Sequence, residues 1–137
     1  MFFPGARLKG PHESDPGDPY AIRIAADRAL LVTAGPLDTV APGHSAWHDA
    51  GFAATDLGAA MIVLALLGPD APALLARGTG VDLMAAPPAS GGGAAMLTAG
   101  VRVVAYRHGA DGLRLHVDRS MAPYLWRWLE TAAAALG

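Results

Sequence analysis

His44 and His48 stand four residues apart, a spacing that on a helix puts two imidazoles on one face and so suits metal ligation. Pro42 and Gly43 precede them and no third ligand stands nearby in a motif, so an exposed, ordinary pair is the simpler expectation. His12, His108 and His116 fall in a proline-rich stretch, a turn and an outward strand face, where solvent exposure is expected. The serines Ser14, Ser45, Ser90 and Ser120 lack the surroundings of a nucleophile elbow or triad, and His44 beside Ser45 makes no dyad because adjacent side chains point apart. The Ala-Ser-Gly-Gly-Gly-Ala run from Ala89 to Ala94 has neither the lysine nor the strand-to-helix setting of a phosphate cradle, and reads as a loop. Lys9 is the sole lysine and there is no cysteine, which argues against Schiff-base chemistry and excludes thiolate chemistry and disulfides.

The most chemically loaded spot is Arg119-Ser120. A guanidinium next to the free N–H groups of a helix start would hold a carboxylate or phosphate, and the bland alternative is a serine cap beside a surface arginine. Five residues on, Tyr124, Trp126 and Trp128 crowd one helix. Three large aromatics exceed what one small core needs, and such residues dominate binding hot spots, so partner contact and core packing both stand as readings.

The elements that would carry these residues are legible from pattern. The expected fold class is α+β: a split β-α-β, ferredoxin-like layer of antiparallel strands with two helices on one face and a C-terminal amphipathic helix. Residues 1–19 hold four prolines and three glycines and are expected to be a tail, leaving 20–137 as a single domain. From Tyr20, Ala-Ile-Arg-Ile-Ala and then Leu-Leu-Val-Thr-Ala, ending at Ala34, predict a short hairpin around Asp27 and Arg28, and Gly35 to Gly51 reads as a connection. Met61–Leu67 is continuously apolar and is expected to be a central strand buried on both faces. A helix should follow, with Gly68 as N-cap, Pro69 in its first position and Gly78 closing it. Ala95 to Arg107 reads as one long strand with a bulge at Gly100. In the next strand Leu113, Leu115 and Val117 should face inward and Arg114, His116 and Asp118 outward. Ser120 should cap the last helix through the N–H of Ala122, with Ala122, Leu125, Leu129, Ala132, Ala133 and Leu136 on one buried stripe.

Composition narrows the function classes. The 137 residues are 53% hydrophobic and 16% charged with a net charge of −2, which offers no electrostatic footprint for nucleic acid. No apolar run is long enough to span a bilayer without interruption by glycine and proline, and the Met-Phe-Phe-Pro-Gly start does not read as a secretory signal, so no membrane contact and a cytoplasmic location are expected.

Three segments carry a likeness to a known family: Gly68-Pro69-Asp70-Ala71 with Leu74-Leu75-Ala76-Arg77-Gly78, then Val81-Asp82-Leu83, then Asp118-Arg119-Ser120 running on to Trp126-Arg127-Trp128-Leu129. From about Phe52 to Gly137 the chain resembles the gamma subunit of heterotetrameric sarcosine oxidase, within the wider aminomethyltransferase and folate-binding group. The resemblance implies a complex that oxidatively demethylates sarcosine or a related N-methyl amino acid, with FAD, FMN, NAD and tetrahydrofolate held by larger flavoprotein subunits. It implies no catalytic, cofactor or metal residue on this chain, in line with the inventory above. Arg119, Ser120, Tyr124, Trp126 and Trp128 are then candidate contacts to a partner or an anion. The alternative expectation is a stand-alone folate-binding or one-carbon transfer module of the same group.

Overall fold

The computed structural model describes residues 7–8, 19–81, 93–109 and 112–136. Its elements are β1 (Arg7–Leu8), β2 (Tyr20–Ala25), β3 (Arg28–Val32), β4 (Ser45–His48), β5 (Phe52–Thr55), β6 (Met61–Leu67), α1 (Ala71–Ala76), β7 (Gly93–Thr98), β8 (Val101–Arg107), β9 (Gly112–Asp118) and α2 (Ala122–Leu136). The fold is α+β, with antiparallel pairing throughout except for β1, which lies parallel to β2.

The central layer is a four-stranded sheet in the order β6-β9-β8-β7. Leu64 and Leu66 of β6, Val101, Val103 and Ala105 of β8, and Leu113, Leu115 and Val117 of β9 point to one face, because alternate residues of a strand share a face. Both helices cover that face. Ala71 and Leu75 come from α1, and Ala122, Leu125 and Leu129 from α2, completing one aliphatic cluster. α2 buries its stripe only as far as Leu129. Ala132 is half-buried, while Ala133 and Leu136, expected in the stripe, are exposed.

Several expected elements take a different form. Met61–Leu67 is an edge strand, not a central one, so Val63, Ala65 and Leu67 lie open on its other side, Leu67 with 79% of its surface exposed. A continuous apolar run fits either position, and only the pairing partners decide. Gly68 has φ +104°, a turn conformation that an N-cap does not take, so α1 begins after Asp70, two residues later than expected, with Pro72 near its start. Ala95 to Arg107 is not one bulged strand. Ala99 (φ +52°) and Gly100 (φ +81°) form a two-residue turn between Thr98 and Val101, the arrangement of a tight hairpin with both central residues left-handed. That extra strand changes the layer: α1 links β6 and β7, which are antiparallel and lie at opposite edges, where a split β-α-β unit would join parallel strands around one intervening strand. The stretch read as a connection contains β4, paired with β5 in a two-stranded ribbon.

The expected hairpin is present as β2 and β3, with a shift in register between Arg23 and Ala25. In the stretch expected to be a tail, Arg7 and Leu8 pair beside Tyr20 and Ala21. Tyr20, Ile22, Ile24, Leu30 and Val32 form the hairpin's apolar face, and it closes over Val104 and Tyr106 on the side of the sheet away from the helices. His116, expected in solvent, is therefore 6% exposed, because the strand alternation that turns it away from the helices turns it under the hairpin.

Candidate functional site

α2 is entered through a 3-10 turn, Arg119–Met121. The cap is Asp118, not Ser120: its carboxylate accepts the Ser120 N–H at 2.8 Å and the Ser120 hydroxyl at 2.5 Å. These two bonds hold the Asp118 carboxyl below the usual carboxylate range. The Ser120 N–H, which an external anion would use, is thus already bonded to an anion of the chain itself. Arg119 is committed as well. Its Nε donates to the Ala59 carbonyl at 2.7 Å and its backbone N–H to the Ala60 carbonyl at 2.8 Å, which fastens the helix entry to the loop ahead of β6.

The three aromatics do not form one patch. Residues two apart on a helix point about 160° away from each other, so Tyr124 and Trp128 share one flank of α2 and Trp126 stands on the opposite flank. Trp128 is half-buried against the aliphatic cluster. A Cβ placed on Gly78 would lie 2.9 Å from its indole edge, so that glycine is what lets the end of α1 come down beside the ring. Tyr124 is 50% exposed, with its hydroxyl donating to the Ala99 carbonyl at 3.2 Å. Trp126 is also 50% exposed. Beyond Trp128, Arg77, Thr131, Ala132 and Ala135 complete a shallow depression of about 400 Å³.

The other early candidates lie apart from this helix. His44 stands just ahead of β4 and His48 at its end, neither on a helix; His44 is exposed and His48 stacks on Phe52 at 4.6 Å between ring centres. Among the described residues no three histidine, aspartate or glutamate side chains are grouped to hold a metal ion. His12 and the loop from Ala89 to Gly92 lie outside the described residues. The ribbon also carries Trp47, 72% exposed, an aromatic that pattern reasoning passed over because its strand was read as a connection. Asp56 ties the ribbon's base, accepting the N–H groups of Gly58 and Gly43, and those bonds keep its carboxyl low.

A second polar arrangement was not anticipated. Between hairpin and sheet, Arg114 donates to the Tyr20 hydroxyl at 3.1 Å, the Tyr20 and Tyr106 hydroxyls meet at 2.8 Å, and the Tyr106 hydroxyl meets His116 Nε2 at 2.7 Å. A guanidinium only donates, so the Tyr20 oxygen accepts from Arg114; between the two hydroxyls either can be the donor, and the assignment follows from the state of His116. With His116 neutral and its Nε2 unprotonated, both phenol protons find an acceptor when Tyr106 donates to Nε2 and Tyr20 donates to Tyr106. Burial, and behind it the nearby Arg114 charge, push the His116 ring down to about 4. Burial and the Tyr20 hydrogen bond push the Tyr106 phenol well above its ordinary value, so Tyr106 and His116 both stand neutral beside the Arg114 charge near pH 7. The signal for this cluster was present in the sequence: a hairpin with one apolar face must cover something, and the outward residues of β9 were the uncovered surface.

Among the described residues no helix is long and apolar enough to cross a membrane. No curated protein matches the chain. The family model of the sarcosine oxidase gamma subunit does, over residues 23–135, from within β2 to the last turn of α2. That span takes in most of the hairpin ahead of Phe52 as well as the three segments that first carried the likeness, and by it the chain belongs to the sarcosine oxidase gamma subunit family.

Proposed function

We propose that the chain is a non-catalytic docking subunit of a flavin-dependent complex that oxidatively demethylates sarcosine or a related N-methyl amino acid. FAD, FMN, NAD and tetrahydrofolate belong, in this reading, to larger flavoprotein subunits, and this chain supplies a shaped surface to them. The observation that carries the proposal is the exposure of Trp126 on a helix flank of a chain in the gamma subunit family. An indole half in water is the kind of residue that anchors an interface, and here it is not needed to complete the aliphatic cluster. Nothing among the described residues favours the stand-alone folate-binding module.

The test is co-purification. The tagged chain, recovered from its native cells, is expected to bring down larger flavin-containing subunits, and to be colourless and without turnover when isolated. Trp126→Ala should weaken that recovery at least tenfold, as loss of a hot-spot residue of about 2 kcal/mol does, while leaving the thermal midpoint of the isolated chain unchanged. Recovery of the chain alone from native cells would sink the proposal.

A further inference from the structure

The chain from Arg114 through Tyr20 and Tyr106 to His116 joins three strands of two different sheets: β2 of the hairpin, and β8 and β9 of the central layer. It lies in the smaller of the two apolar clusters, while the larger cluster under the helices consists of aliphatic residues with Trp128 at its margin and contains no ionisable group. The two faces of the sheet are therefore chemically unlike. We propose that this four-residue chain is an acid-sensitive latch, which holds the β2–β3 hairpin on the sheet while His116 is neutral and releases it when the imidazole takes up a proton, with the helix-covered face left intact.

The geometry gives the reason. A protonated Nε2 is a donor and cannot accept the Tyr106 proton, so the terminal bond of the relay reverses and the two hydroxyls lose their consistent polarity. The new cation also stands two residues from Arg114 on the same face of β9, under a hairpin that keeps water out. Among the described residues, the ionisable groups around His116 are Tyr106 from β8, Arg114 from β9, Tyr20 from β2, and His108, whose ring stacks on Tyr20 at 5.8 Å. Asp118 stands two residues from His116 on the opposite side from Arg114, exposed and bonded to Ser120, and Arg102 of β8, also exposed, lies on the same face. Asp118, the one carboxylate among these described groups, is exposed and bonded to Ser120, so water screens any balance it offers to the imidazole charge. β6, on the other side of β9, sets Val63 opposite His116.

Amide hydrogen exchange on the full 137-residue chain, corrected for intrinsic rates, tests the latch. Protection of β2 and β3 should fall tenfold or more between pH 7 and pH 4.5, with protection of β9 and α2 retained. His116→Gln, whose side-chain oxygen still accepts from Tyr106, should remove that fall, and His108→Gln should preserve it. Tyr106→Phe, which cuts the relay in its middle without adding a charge, should lower hairpin protection already at pH 7. Parallel loss of protection in α2, or an unchanged acid response in His116→Gln, would overturn the proposal. So would full hairpin protection in Tyr106→Phe at pH 7.

Discussion

On the helix side of the four-stranded sheet, Leu64, Leu66, Leu115, Leu125 and Leu129 meet with no polar atom among their side chains. On the hairpin side, a cluster of comparable role is built around two phenols, an imidazole and a guanidinium that satisfy one another. The first surface is held by area removed from water, which is indifferent to pH and tolerant of exact geometry. The second adds directional bonds, whose loss leaves buried groups unsatisfied, so it is more specific and more fragile. One sheet thus carries a permanent face and a conditional one.

The largest expected effect is on the permanent face. Leu125→Ala, at a side chain fully buried between α2 and the sheet, should cost about 3 kcal/mol in urea unfolding, and a cost under about 1 kcal/mol would mean that the helix is not the main cover of that face. Next comes the conditional face. His116 sits near 4 when folded and at its ordinary 6.5 when unfolded, so as pH falls the unfolded chain takes up the proton first. Stability from this group is therefore complete above about pH 6.5, declines by up to about 3 kcal/mol as pH falls to about 4, and then levels off. An unfolding free energy that stays flat between pH 6.5 and pH 4.5 would remove the distinction between the two faces.

Smaller effects sharpen where the helix side ends. Gly78→Ala pushes a methyl into the Trp128 indole and the Thr98 side chain, and should destabilise by about 2 kcal/mol with a red shift in tryptophan emission. The weakest effect has the opposite sign. Ala99 holds φ +52° in a turn that prefers glycine or asparagine, so Ala99→Gly should raise stability by about 0.5 kcal/mol; a loss would show that the Ala99 methyl packs usefully against the helix-side cluster.

The helix-side layer was largely legible in the sequence. The alternation of Leu113, Leu115 and Val117 and the spacing of Ala122, Leu125 and Leu129 fix which residues face inward, because a strand or a helix repeats its geometry along its own length. The candidate surface was partly legible: the three aromatics of α2 were picked out by type, but their division into a packed Trp128, a tethered Tyr124 and an open Trp126 needed the neighbours Gly78 and Ala99.

Sequence by itself settled the α+β class, the family likeness and the inward faces of the last strand and helix, since each depends on local periodicity or on residues close together in the chain. Tertiary structure alone decided that β6 is an edge strand, that Asp118 and not Ser120 caps the turn into α2, and that His116 lies under a hairpin. Those depend on partners brought from elsewhere in the chain or on backbone geometry at a turn. The contact between Tyr20 and Tyr106 spans 86 residues, and no periodicity within either strand encodes it.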